Sequence, residues 1–308
     1  MSNNQTKFDK LRNSGNLLSI LLKDRTTERN IIWATDSYIA HGTGFFPNDS
    51  IKSSTITGTH ESLIQPRLLK SEKERVHRTR ERGEVFTPLW IVQKINNEVG
   101  SSTQDYFITK DNWTKYVSEL RLEIACGEAP FIVSRYDPTS QFYNVLKPYD
   151  RVGFLDQKLK LVSKYCEDEQ EWIFWAIQAF KASYGFDLQG DNILIARENL
   201  LYSLNDFYQH KFKKLPTMEL QEEIANIISW NIFQMDGLRY VVPMSCKDKI
   251  IDSHIPLIEE VKYSPSVQQC PGCQYVIDDK HNGVYVKIMD WSQNKIRRFL
   301  DLRNTTLL

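Results

Sequence analysis

Apolar residues along the chain change their period several times, and each change marks an element. Leu122 to Ala125 reads as a short strand, halted at Cys126-Gly127 and followed by apolar Phe131-Ile132-Val133. That pattern predicts a strand ending in a tight turn that opens a helix. Residues from about Leu155 to Tyr184 read as mostly helical, with the aromatic residues of EWIFWAIQAF forming a buried stripe. YGFDLQGDNILIARENLLYSLNDFY repeats the strand–turn–helix order: a strand ending at Phe186 to Leu188, a break at Gly190, and a helix capped by Asp191 running to about Tyr208. A third unit comprises a helix over Leu220 to Ser229, a strand from Asn231 to Gln234 and a turn at Asp236-Gly237. Three strand-ending turns separated by helices predict an α/β fold with a parallel sheet.

Upstream of these units the pattern weakens. Residues 1–66 have no sustained period and read as irregular. RLLKSEKERVHRTRER, Arg67 to Arg82, carries seven Lys or Arg against three Glu. It is either a solvated, ion-paired helix or a phosphate-contacting edge for nucleic acid. Thr87 can cap a helix whose first position is Pro88, with Val92, Ile95 and Val99 near one face.

Composition narrows the classes. Hydrophobic residues make up 41% of the 308, enough for a packed core, and formal net charge is zero, so any basic surface is local. The start, MSNNQTKFDK, has no apolar stretch, and no apolar run is long enough to span a bilayer; a soluble, cytoplasmic chain without a membrane partner is expected. Five cysteines, with Cys126 and Cys166 isolated in mid-chain, fit reduced thiols better than a disulfide framework.

In an open parallel sheet, ligands sit beyond the carboxyl ends of the strands, so the three turns are expected to line one crevice. Gly127 permits close backbone approach. Asp187 has the chemistry to hold two ribose hydroxyls, and Asp236 to accept from an adenine amino group. The turn C-G-E-A-P-F lacks the glycines of a pyrophosphate site, and Glu128 and Pro130 leave little room for one. An adenosine-bearing ligand without phosphates suits it better, and S-adenosylmethionine is the common one.

The set of VFTP (Val85 to Pro88), EIACGEAPF (Glu123 to Phe131), YGFDLQ with Asp187, and NIFQMDGL with Asp236 resembles the N6-adenine DNA methyltransferases of bacterial restriction-modification systems. The likeness is to chains known as restriction endonuclease subunit M, and it covers roughly residues 80–245. It implies a three-layer, Rossmann-like methyltransferase fold, here incomplete, with a helical N-terminal extension over 1–79 and a small cysteine-bearing tail over 246–308. It also implies that S-adenosylmethionine is held by Phe86, Thr87 and Pro88, by Glu123, Ala125, Cys126, Gly127 and Glu128, by Asp187 and Leu188, and by Asp236 and Gly237. DNA is the implied partner, and direct methyl transfer to the adenine amino group the implied reaction.

Two departures qualify this. The position of Glu128 is small in the family loop, and Ala129 replaces its second glycine; Glu128 either reaches the cofactor's amino group or narrows the pocket. The family's [DNS]-P-P-[YFW] loop, which holds the flipped base, is missing, for the chain contains no Pro-Pro. A partner subunit carrying that loop is therefore implied, so no catalytic residue is assigned to this chain. The alternative is a catalytically inactive or truncated relative acting in DNA binding or assembly.

The tail holds Cys246, then Cys270-Pro-Gly-Cys273, then His281. A Pro-Gly turn aims two thiolates at one point, as structural zinc requires; reduced thiols in a loop are the alternative. The ending KIMDWSQNKIRRFLDLRN reads as an amphipathic docking strand or helix, or as a DNA-contacting arm.

Overall fold

In the computed structural model, residues 11–84, 87–101, 108–140, 142–251 and 266–302 are described. Phe86 and Arg303 lie outside them.

Helix α1 spans Gly15–Leu22 and α2 Glu72–Arg82. In α2, Ser71 and Glu74 form a capping box and Gly83 ends the helix at φ 65°. α3 spans Leu89–Ser101 and α4 Trp113–Ser118, ahead of strand β1, Arg121–Glu123. Then come α5 (Phe154–Tyr165), α6 (Glu169–Lys181), β2 (Ser183–Asp187), α7 (Gly190–Phe212), α8 (Met218–Asn231) and β3 (Ile232–Gln234). The tail adds β4 (Lys249–Ile251), β5 (Ser266–Gln268), α9 (Pro271–Tyr275), β6 (Lys287–Asp290), β7 (Lys295–Arg298) and α10 (Phe299–Leu302).

The fold is α/β. β1, β2 and β3 form one parallel sheet in that order, with Glu123 opposite Gly185 and Asp187 opposite Gln234. Period-two alternation sends successive side chains to opposite faces. Ile232 joins the main core, with the buried residues of α5 to α8. Phe186 and Phe233 point the other way and stack at 5.8 Å. Val242, Val286, Ile288 and Phe299 cover that second face. The tail thus supplies the third layer, and its amphipathic ending docks on its own sheet.

Three local expectations are corrected. No helix follows Gly127. Glu123 accepts the N–H groups of Phe131 and Ile132, at 3.3 and 3.1 Å, so the segment folds back as turns. Asp191 does not cap α7: Gln189 occupies the N-cap, and Asp191 lies buried inside the first turn. Residues 11–66, irregular in pattern, contain α1 and pack firmly. Leu21, Leu22, Trp33 and Ile51 are fully buried, Arg12 holds Glu198 at 2.7 Å, and Gly190 N–H donates to Trp33 O at 3.0 Å.

Two cations of the basic segment, Lys70 and Arg78, are buried, while Lys73 and Arg80 are exposed. Arg78 holds Asp191 and Glu84, both at 2.7 Å, and Lys70 reaches Asp191 at 3.6 Å. Tyr38 O–H donates to the same carboxylate at 2.6 Å. This ties α2 to the start of α7. Among the described residues, no helix is long and apolar enough to cross a membrane.

Candidate functional site

The carboxyl ends of β1, β2 and β3 bring several of the predicted residues together. Gly127, at φ 54°, donates its N–H to Asp187 Oδ2 at 2.9 Å. Ala125 and Ala129 also take positive φ, 48° and 64°, so every second residue of this turn is left-handed. The strain this costs two alanines is of the kind that concentrates at ligand sites. Cys126 is buried beneath the turn, and its N–H donates to Phe186 O at 2.8 Å.

Asp187 also accepts from Gln189 N at 2.9 Å and Asn192 Nδ2 at 3.4 Å. A carboxylate offers about four acceptor positions, so about one remains for a ligand hydroxyl. Burial raises the Asp187 carboxyl to about 6 against these three donors. Burial likewise raises Glu123 well above the carboxylate range.

Glu128 is turned inward. It is 4% exposed. Its Oε1 accepts from Arg67 N at 2.7 Å and its Oε2 from Tyr136 O–H at 2.5 Å. Asn199 Nδ2 completes the cluster, donating to Tyr136 Oη at 3.1 Å. Both Glu128 carboxylate oxygens are therefore engaged inside the protein.

Asp236 follows β3. Its carboxylate accepts from Leu238 N and from Arg239 Nη1, both at 3.1 Å. Gly237 lies against the Phe186 ring, where an added Cβ would come within 2.8 Å of an edge carbon. Leu188 is 45% exposed, and two residues not singled out in the sequence share its character, Ile124 at 70% and Leu238 at 88%. Each follows one of the three strands. For Leu238 the signal was an apolar residue within a turn, where polar residues are the norm; Ile124 gave none, because β1 ends at Glu123 and not at Ala125.

Thr87 and Pro88 are half-buried at the start of α3. α3 reaches the glycine-turn segment through Asn96, whose Nδ2 donates to Phe131 O at 3.1 Å and Val152 O at 3.0 Å. No sequence pattern marked Asn96.

The second site is in the tail. Cys246, Cys270, Cys273 and His281 bring one ligand atom each within 4.8 Å of all the others, a Cys3His group able to hold a metal ion. His281 Nδ1 lies 3.6, 3.7 and 3.6 Å from the sulfurs of Cys246, Cys270 and Cys273. Backbone N–H of Asn282 points at Cys270 Sγ, 3.3 Å away. Two glycines make room. A Cβ on Gly272 would fall 2.6 Å from the His281 ring, and one on Gly283 would fall 2.9 Å from Cys246 Sγ.

No family model, curated protein or solved structure matches the chain.

Proposed function

We propose that the chain is the S-adenosylmethionine-binding part of a DNA adenine-N6 methyltransferase of a restriction-modification system, completed by a second chain that holds the target base. The observation that supports this reading most is the Gly127–Asp187 hydrogen bond, joining the glycine turn of β1 to the acid at the end of β2. Adjacent parallel strands in this order, with Asp236 beyond the third, are compatible with half of a doubly wound sheet, an arrangement that holds nucleotides beyond its carboxyl edge. The donor set fits an adenosine. Asp187 retains about one acceptor position for a ribose hydroxyl, and Ile124, Leu188 and Leu238 offer apolar surface to a base.

When bound, the cofactor supplies a sulfonium methyl for an amino nitrogen. The chain's own residues position it. Asp187 fixes the ribose and holds the glycine turn in register, while the apolar residues beyond the strands exclude water from the adenine ring.

Calorimetric titration with S-adenosylmethionine tests this, alongside Asp187→Ala and the surface variant Leu238→Lys. Micromolar binding that weakens in both supports the reading. No binding at millimolar cofactor overturns it and leaves the second reading, a methyltransferase-fold protein serving assembly or DNA binding. The inward engagement of Glu128 favours that second reading.

The metal in the tail is, in this proposal, structural zinc. Tetrahedral zinc with Zn–S of about 2.3 Å and Zn–N of about 2.0–2.1 Å separates nitrogen from sulfur by about 3.6 Å. The three observed separations are 3.6, 3.7 and 3.6 Å. All four positions come from the protein, which suits a closed structural centre. Metal content of the purified chain, with one zinc expected per chain, tests it.

A further inference from the structure

The four metal ligands sit at the outer end of a short antiparallel ladder. Val242 N–H donates to Val284 O at 2.8 Å and Val286 N–H donates to Tyr240 O at 3.0 Å. Val241 is bridged to Tyr285 on one side and to Asp236 on the other. Asp236 N–H donates to Val241 O at 2.9 Å, and Asp236 O accepts from Tyr240 N–H at 2.8 Å. The turn that carries the Asp236 carboxylate is thus the direct continuation of the ladder the knuckle closes.

We infer that metal at Cys246, Cys270, Cys273 and His281 is the positioning element for Asp236. The metal fastens Cys246, four residues past Val242, to His281, three before Val284, and so locks both arms of the ladder. The inference rests on the metal reading above and deepens it; it does not require that the strand ends bind a cofactor.

An apolar cluster also grips this region, with Val242 and Val286 against Phe186 and Phe233. That cluster holds the inner faces of the arms. Beyond it the arms are joined by polar contacts: Val284 N to Ser245 Oγ at 3.0 Å, and the Asn282 side chain to Lys247 O and N at 2.6 and 3.1 Å. Leu238 and Met244 within the first arm are 88% and 55% exposed, and Tyr240 and Met244 hold positive φ near 59°. Exposure and strain concentrate at the two ends of this arm, outside the apolar cluster, and there the metal adds closure to the polar contacts.

The test is amide exchange on the zinc-loaded full chain, on the same chain after chelation, and on Cys273→Ser, with metal content measured each time. On metal loss, protection at Asp236, Val242 and Val286 is expected to fall on the order of tenfold or more, while Ile193 to Leu204 of α7 keep theirs. Unchanged protection at Asp236 and Val242 in verified metal-free chain overturns the inference. A chain that takes up no zinc overturns the metal reading and this one with it. Should Cys273→Ser lose α7 protection as well, the chelated wild-type chain decides. Failure of S-adenosylmethionine to bind has no bearing on the exchange result, so the two readings fail separately.

Discussion

Gly127 N–H and the Asp187 carboxylate meet at 2.9 Å across the ends of β1 and β2, sixty residues apart in sequence. The contact fixes the carboxylate with a left-handed backbone turn on one side and the first turn of α7 on the other. It also buries the acid, which raises its carboxyl to about 6. A group raised in the folded state stabilises fully below its unfolded value, about 3.9, and loses that contribution as pH rises through about 6. The span is about two units, or roughly 3 kcal/mol at most. Thermal melts from pH 4 to pH 8 are expected to show wild type losing more stability with rising pH than Asp187→Asn. Parallel curves would show that the carboxyl is not buried as described. Asp156, also raised to about 6 by burial, is the background acid to hold in common.

The three strands, their parallel pairing and the acids that follow the second and third were legible in the sequence, because short apolar runs halted by Gly or Asp carry their own punctuation. The course of the chain after Gly127 was not. The apolar run Phe131-Ile132-Val133 after the turn suggested a helix, yet Glu123 takes the N–H groups of Phe131 and Ile132 and folds the segment back. The inward engagement of Glu128 was not legible for a similar reason: Arg67 and Tyr136, which hold it, give no sign of doing so in sequence. The knuckle was readable from C-P-G-C and the distant Cys246 and His281, since metal-ligating residue types are rare enough to stand out at long range.

Arg78 and Asp191 form a buried pair at 2.7 Å. Burial works to raise the Asp191 carboxyl, but Arg78 and Lys70 outweigh it and hold it down at about 2. Arg78→Ala leaves the buried Asp191 carboxylate with only the more distant Lys70 as a countercharge and is expected to cost about 3–5 kcal/mol in denaturant unfolding. Because the pair is buried, the loss is expected to change little between low and high salt. A loss under about 1 kcal/mol would place Arg78 at a solvated surface, where the phosphate-contacting reading of the basic segment applies.

Gly272 has no space for a side chain: a Cβ would lie 2.6 Å from both the ring and the backbone nitrogen of His281. Gly272→Ala is expected to lower bound zinc from one per chain toward none under mild chelation, with all four ligands still present. Metal stoichiometry by mass spectrometry, set against Cys273→Ser, gives the comparison. Full zinc retention in Gly272→Ala would mean that the knuckle relaxes around the methyl group.

Leu238 is the most exposed apolar residue beyond the strands, at 88%. Leu238→Lys is expected to leave stability within about 0.5 kcal/mol, as for most surface substitutions. Under the cofactor reading it weakens S-adenosylmethionine on the order of tenfold, the scale of about 1.4 kcal/mol of lost apolar contact. Unaltered affinity with intact folding would move the adenine away from this turn.

Lys158 lies fully buried between the starts of β1 and β2, donating from Nζ to Glu119 O at 2.5 Å and Ala182 O at 3.0 Å. Burial pushes its ammonium well below the ordinary lysine value, and the nearby Arg121 pushes the same way. The folded chain therefore sheds this proton before the unfolded chain does. In the window between the lowered value and about 10.4 the unfolded state binds more protons, so stability rises with pH there. Below the window the full cost of a buried charge remains. Lys158→Met removes that cost along with two hydrogen bonds, so its stability is expected to be flatter with pH and to gain on wild type as pH falls. Denaturant titrations at pH 6 and pH 10 give the comparison; an equal difference between the two proteins at both pH values would mean that Lys158 stays charged in the fold.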